Sequence, residues 1–349
     1  MRVLVAMSGG VDSSTVAGLL AEQGHDVIGV TLQLYDHGAA TSRKGACCAG
    51  QDIHDARRVA DHLGIPHYVI DAEARFRASV IADFADSYAA GETPVPCIRC
   101  NQSVKFTDLI ALAGDLGAER LATGHYVRRV DGPAGAELHQ AADPARDQSW
   151  FLFATTQAQL DRSMFPLGGM PDKAAVRAEA ARLGIATAAK PDSQDICFVP
   201  QGSYADIVAR LRPDAMAPGE IVTADGAVLG RHDGIARYTV GQAKRLGDAA
   251  GGQVVVALDA PTRRITVGPR SAGQTEITLR DVNWLSPPAR RACMVKLRAR
   301  AELQPAEIVP TAAGATVHLA SPALAAPGQA CVFYDGTRIL GGGFVTRGS

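Results

Sequence analysis

The sequence predicts a mixed α/β chain: an N-terminal doubly wound parallel sheet, then a small central domain, then a C-terminal β-barrel. Three observations lead there. Short apolar runs alternate with amphipathic stretches over the first part of the chain, most of the stretches stopping at a glycine. That alternation fades after about residue 155. Beyond Ala217 the text becomes paired β-type runs separated by Asp-Gly, Pro and Gly turns. At 349 residues there is room for two or three ordinary domains, and 47% hydrophobic against 20% charged residues describes a packed core rather than disorder. The reading divides the chain into an α/β domain at 1–202, a central α+β domain at 203–274 and a barrel at 275–349.

Residues 2–7, RVLVAM, are an apolar run followed at once by a glycine loop, SGGVDSS. With no small-residue cleavage site behind a long apolar core, this start reads as a buried strand and not as a signal peptide. STVAGLLAEQG has apolar residues at helical spacing and stops at Gly24. DVIGVTLQL lacks strict alternation, as a strand buried on both faces does. DIHDARRVADHLG is a helix closing at Gly64, PHYVIDA the next strand, SVKFTDLIALAGDLG a helix ending at Gly117, and AERLATGHY a strand and turn. DKAAVRAEAARLG and SYADIVARLRP are further helices. PGEIVTADGAVLGRHDG and QVVVALDAPTRRITVG read as hairpins, and residues 275–346 as the successive strands of a barrel or sandwich. No run of about 18 apolar residues occurs, so no membrane span is expected.

A formal net charge of −1 carries no overall basic signature for nucleic acid, although a local basic face can sit on a neutral protein. Seven cysteines, an odd number without a secretory signal, suit a reducing compartment where thiols are reactive, metal-bound or buried. Cys293 and Cys331 lie in the β-rich tail and read as small buried hydrophobes, and Cys47 and Cys48 as structural.

Two stretches carry chemistry. Ser8-Gly9-Gly10-Val11-Asp12-Ser13-Ser14 stands between a strand and a helix, where open α/β folds bind ligands. Its glycines admit an anion to the backbone, its serines add hydroxyls, and the helix start adds unsatisfied N–H groups. It is neither a Walker A loop nor a dinucleotide fingerprint. In PVPCIRCNQSVKF, Cys97 and Cys100 are three apart beside Arg99 and Lys105. On spacing alone they are half of a zinc site, a redox pair, cluster ligands or the home of a sulfur nucleophile.

The glycine loop resembles that of the ATP pyrophosphatases, whose sheet is of the adenine nucleotide α-hydrolase type. Together with PVPCIRCNQSVKF, TGHY at 123–126, RDQSWFL at 146–152, DSQDICF at 192–198, CCAGQDIHDARRVADHLGIPHYV, GQAKRLG at 241–247 and PGQACVFYDGTRILGGGFV at 327–345, it is similar in order and spacing to the tRNA-specific 2-thiouridylases over essentially the whole chain. The resemblance implies a cytoplasmic enzyme that uses ATP to adenylate O2 of the wobble uridine in lysine, glutamate and glutamine tRNAs. Persulfide-derived sulfur then goes to C2, giving 2-thiouridine, AMP and pyrophosphate. It implies Cys100 as nucleophile and Cys197 as the persulfide carrier, loaded by a cysteine desulfurase or a persulfide carrier protein. Either Cys100 releases sulfide from Cys197, or the persulfide attacks the base directly and Cys100 resolves it.

By the same resemblance ATP lies on Ala6, Met7, Ser8, Gly9, Gly10, Val11, Asp12 and Ser13, with Leu32 and Gly124 beside it and Mg2+ near Asp12. His125, Arg146, Asp147, Gln148, Arg298, Ala299 and Gln329 match tRNA-contacting positions, and Arg99, Lys105, Lys244 and Arg245 are further phosphate contacts. The chain departs from the family in three places. Cys97 stands where many members have aspartate, Arg146 where lysine is frequent, and Arg298-Ala299 where Arg-Tyr is common. Cys97 leaves three readings open: a resting disulfide with Cys100, a four-iron cluster (4Fe-4S) on Cys97, Cys100 and Cys197, or a zinc site still lacking a fourth ligand.

Overall fold

The computed structural model describes residues 1–35, 48–192, 196–199, 203–247 and 250–347. The chain divides into two compact units. One comprises Met1–Val80, Cys97–Phe198 and Thr337–Ile339, the other Ile81–Pro96, Val199–Gly336 and Leu340–Ser349.

In the first unit β1 (Arg2–Ala6), α1 (Val11–Glu22), β2 (Asp26–Gln33), α2 (Cys48–Leu63) and β3 (His67–Asp71) alternate as expected. α3 (Pro96–Cys100), whose last four residues belong to this unit, α4 (Thr107–Asp115) and β4 (Arg120–Ala122) follow. A hairpin of β5 (Val127–Gly132) and β6 (Gly135–Gln140), the short β7 (Ser163–Met164) and α5 (Lys173–Arg182) complete it. Among the described residues the sheet order is β3-β2-β1-β4-β7, with parallel pairing throughout. β1 is central, and Val3, Leu4 and Val5 are fully buried because both sheet faces are covered. Strand order reverses at β1, so its C-terminal end is the switch point at which such sheets bind ligands. α1 and α5 close one face through Val16, Ala17, Leu20, Val176 and Ala180.

Two features of this unit differ from the expectation. The helix read at 103–117 begins as a π-helical turn, Asn101–Phe106, and is α-helical only from Thr107. There the Ser103 carbonyl accepts from Arg75 Nε and Nη2 at 3.3 and 3.1 Å, and the Gln102 carbonyl from Thr107 Oγ1 at 2.7 Å, so side chains intrude on the ladder and widen it. The β5–β6 hairpin is additional. Thr337–Ile339 belong with it: Thr337 O accepts from Gln140 N–H at 2.8 Å, and Arg338, opposite His139, pairs with Glu137 at 2.9 Å.

In the second unit α6 (Tyr204–Leu211) opens on a capping box between Ser203 and Asp206. The two expected hairpins are β8 (Gly219–Thr223) with β9 (Val228–His232), and β10 (Val254–Asp259) with β11 (Arg264–Gly268). They join into one sheet, β10-β11-β8-β9, through a parallel β8–β11 pairing that puts Ile221 opposite Ile265. Then come β12 (Gln274–Trp284), β13 (Arg291–Lys296), β14 (Gln304–Thr311), β15 (Gly314–Ala323), β16 (Ala330–Asp335) and β17 (Arg338–Val345). The order β12-β15-β14-β13-β16-β17 closes by a β12–β17 pairing with Leu279 opposite Val345, which makes a barrel and not a sandwich. Val295, Ile308, Val317, Cys331 and Phe333 fill it, and Cys331 is a core side chain with no solvent exposure.

Among the described residues no helix is long and apolar enough to cross a membrane. Replacing Phe333, fully buried and 5.6 Å from the Trp284 ring, by alanine should cost about 3–5 kcal/mol. Urea unfolding followed by tryptophan fluorescence will show this as a lowered midpoint.

Candidate nucleotide and sulfur site

β1 ends at Ala6, and Met7–Gly10 carry the chain into α1. Gly9 turns at φ +70°, and a Cβ there would lie 2.2 Å from the Asp52 carbonyl oxygen, so only glycine fits. Gly10 is the N-cap residue, extended at φ −88° and ψ 165°, and no side chain caps the first turn. The loop hydroxyls bind one another and the backbone: Ser13 Oγ accepts from Ser8 N–H at 3.1 Å and lies 3.3 Å from Ser8 Oγ, and Ser14 Oγ donates to Gly10 O at 2.8 Å. The first-turn amides of a 12-residue helix are therefore left to an anion. Gly124 passes close over this turn, where a Cβ would come within 2.9 Å of Ser13 N. Behind the loop Lys190 Nζ donates to Gly9 O at 3.0 Å and to Asp52 and Asp55 at 2.7 and 2.6 Å.

A chain of charges leaves the loop from Asp12. Tyr126 Oη donates to this carboxylate at 2.6 Å, and Lys173 Nζ lies 2.8 Å from both of its oxygens. Lys173, only 9% exposed, stands 5.7 Å over the Tyr126 ring and also pairs with Asp192 at 2.8 Å. Asp192 receives Arg146 at 2.8 Å and Arg177 at 3.5 Å. Burial pushes the Asp192 carboxyl upward, but Lys173 and then Arg146 hold it below the usual carboxylate range. Burial, then the bond to Asp12, pushes the Tyr126 phenol up.

Asp192 stands five residues before Cys197 in the sequence. Phe198 packs edge-on against Phe76 at 5.8 Å, and Arg75, next to Phe76, holds the π-turn carbonyl of Ser103. Cys197 is thereby brought to the segment that carries Cys97 and Cys100. Cys100 closes α3 and is 5% exposed, whereas Cys97, one helical turn earlier, and Cys197 are exposed. Desolvation pushes all three thiols up, Cys197 to about 12 with help from Cys100 and Cys97, while the Lys105 ammonium pulls each of them back. Nearby, His125 Nδ1 is 2.7 Å from Thr123 Oγ1 and its ring stacks on Phe106 at 6.2 Å. Burial, then Lys105, drives the His125 pKa down to about 3, so the imidazole is neutral.

Three family models match this chain. Residues 1–201 match the tRNA methyl transferase HUP domain, 206–269 the tRNA methyl transferase PRC-barrel domain and 274–345 the aminomethyltransferase beta-barrel domain. A tRNA-specific 2-thiouridylase MnmA of Acidiphilium cryptum is 72% identical over 99% of this chain and 100% of its own length. This chain belongs to the tRNA-specific 2-thiouridylase family. Another MnmA, from Gluconobacter oxydans, is 63% identical over 100% of this chain and 99% of its own. An NMN synthetase structure from Francisella tularensis aligns over 61% of this chain and 76% of that one at 18% identity and a TM-score of 0.35, too loose a likeness to bear on function.

In this 2-thiouridylase the expected nucleotide residues Ala6 to Ser13 and Gly124 meet at one sheet edge, with Leu32 half-buried near the end of the neighbouring β2. They fit a polyphosphate. The metal expectations fit less well. Among the described residues no three His, Cys, Asp or Glu side chains converge to hold a metal ion. Cys97, Cys100 and Cys197 are close enough to act on one another's charge but do not form such a group. Asp12 is engaged by Lys173 and Tyr126.

The residues matched to tRNA contacts divide. Arg146 is the exposed end of the charge chain. Asp147 accepts from Ala141 N, Ser149 N, Ser149 Oγ and Gln140 Nε2, and Gln148 Oε1 from Tyr126 N at 3.0 Å, so both shape the loop. Within the second unit Arg298 Nη2 donates to Leu324 O at 3.0 Å, Gln329 Nε2 to Thr93 O at 3.1 Å, and Ala299 is half-buried. That unit also has a cleft of about 380 Å³ lined by Arg231, His232, Asp233, Arg237, Tyr238 and Arg245. Lys173 and Lys190 are site residues the sequence reading passes over. Tyr126 and Asp192 stood in its motifs, TGHY and DSQDICF, without a role. Of the remaining expectations, Cys47, the Cys48 side chain and Ser193 to Asp195 lie outside the described residues.

Gly124→Ala should weaken ATP binding by tenfold or more, by calorimetry, with the circular dichroism spectrum unchanged. Alkylation of Cys197 by iodoacetamide should be slow at pH 8 and climb toward pH 12, because only the thiolate reacts. Lys105→Gln removes a charge that favours the thiolate and should slow labelling several-fold at pH 8, read by peptide mass spectrometry.

Proposed function

We propose that this chain makes 2-thiouridine at the wobble position of tRNA in two steps, adenylation and sulfur transfer. The observation that supports it is the presence in one compact unit of an uncapped phosphate loop and three neighbouring thiols, in a chain 72% identical to a relative named for 2-thiolation. The ATP phosphates take the first-turn amides of α1 and the hydroxyls of Ser8 and Ser13, with Lys173 beside them. The target uridine leaves the anticodon loop to reach this edge. Its O2 attacks the α-phosphate and pyrophosphate departs. Neutral His125 offers a ring face and a hydrogen bond rather than a charge.

Sulfur enters as a Cys197 persulfide, drawn from a cysteine desulfurase or a persulfide carrier. The Cys100 thiolate attacks Cys197 Sγ, and hydrosulfide leaves with the electron pair of the broken S–S bond. Hydrosulfide adds to C2 and AMP departs, leaving a Cys100–Cys197 disulfide. In the other order the persulfide adds to C2 first and Cys100 then cleaves the S–S bond, with the same disulfide as product. Arg146 and the basic cleft of the second unit supply phosphate contacts, the substrates being the lysine, glutamate and glutamine tRNAs of a reducing cytoplasm.

Cys100→Ser and Cys197→Ser should each lower 2-thiouridine formation at least about a hundredfold while tRNA-dependent pyrophosphate release continues. Nucleoside mass spectrometry beside a pyrophosphate assay separates the two steps, and thiolation by either variant at the wild-type rate would end the relay proposal.

A further inference from the structure

The relay leaves a difficulty. Each turnover ends with Cys100 oxidised, and Cys100 is 5% exposed, out of reach of a reductant that must collide with sulfur. Cys197 is exposed, but a reductant attacking there would leave a mixed disulfide on the very thiol that must take the next sulfur. Cys97 is not used by the relay. It is exposed, and it lies on the same helix as Cys100, three residues earlier, so the two side chains share a face. Helical geometry separates their Cα atoms by about 5 Å, inside the window of roughly 4.4–6.8 Å that a disulfide spans.

We infer that Cys97 is a third catalytic thiol, which resets the enzyme by moving the disulfide from the Cys100–Cys197 pair to the surface of α3. This rests on the relay proposed above. The Cys97 thiolate attacks Cys100 Sγ, the Cys97–Cys100 bond forms as the Cys100–Cys197 bond breaks, and Cys197 leaves as a thiolate that takes up the proton Cys97 gave away. The exchange is redox-neutral. Cys197 is then free to accept sulfur while the oxidising equivalent waits at an exposed position. A dithiol reductant, such as a protein of the dithiol-disulfide class, attacks Cys97 Sγ, gives two electrons and two protons, and becomes a disulfide itself. Intramolecular attack has a high effective concentration in its favour, and Lys105 partly offsets the desolvation that raises both helix thiols.

The test compares wild type with Cys97→Ser and Cys97→Ala. Each is loaded with sulfane sulfur from polysulfide and given ATP and unmodified tRNA, first without reductant and then with a dithiol protein and continued polysulfide. The expected result is an equal yield in the first turnover and a multiple-turnover rate at least tenfold lower in both variants. Peptide mapping after one reductant-free turnover should find Cys97–Cys100 joined in wild type and Cys100–Cys197 joined in the variants. Undiminished multiple turnover in the variants, or a Cys100–Cys197 disulfide persisting in wild type, would overturn the proposal. So would loss of the first turnover in both variants, which places Cys97 in sulfur transfer itself. If wild type gives no first turnover from its persulfide form, the relay fails, and the reset step with it.

Discussion

Lys173 is a full charge with 9% of its surface exposed, and a charge so enclosed requires opposite charges around it. Asp12 and Asp192 meet that requirement, and they come from distant parts of the chain: the first turn of the phosphate-loop helix and the segment leading to Cys197. One ammonium therefore joins the glycine-loop helix to the segment that leads to Cys197. Arg146 on the second oxygen of Asp192 extends the same constraint toward the surface.

The thiols depend on a second constraint. A regular helix after Cys100 would have turned its residues along the usual spiral, but the Arg75 and Thr107 intrusions make the turn wider. Lys105 sits in this turn and acts on Cys97, Cys100, Cys197 and His125 alike. Its charge favours thiolate at the sulfurs, against the stronger desolvation that raises all three thiols, and disfavours imidazolium at the histidine.

Much of the first unit is legible in sequence because its signals are local. RVLVAM reads as a buried strand and its Val3, Leu4 and Val5 are fully buried, and the glycine loop advertises its φ requirement at Gly9. The long-range pairings are not legible. Nothing near Ile221 announces that it will lie opposite Ile265, and nothing before Thr107 announces a π turn, which depends on an arginine far back in the chain. The site shows the same division. Loop and cysteines are visible as motifs, whereas Lys173 looks like an ordinary residue at a helix start until folding sets it against Asp12. Asp147, a residue matched to RNA contact, also accepts four hydrogen bonds from its own surroundings, which the sequence does not announce.

Thr337–Ile339 belong to the first unit, although almost everything else in that unit precedes residue 199. The ribosome adds Arg338 some two hundred residues after its partners Glu137 and His139. During synthesis the β5–β6 hairpin therefore waits for Arg338, with only His139 beside Glu137 at 3.2 Å, until nearly the whole chain has emerged. The first unit is complete only when the barrel sequence is complete. A chain cut short in its last strand loses a piece of both units at once, which gives quality control one late checkpoint for the whole molecule.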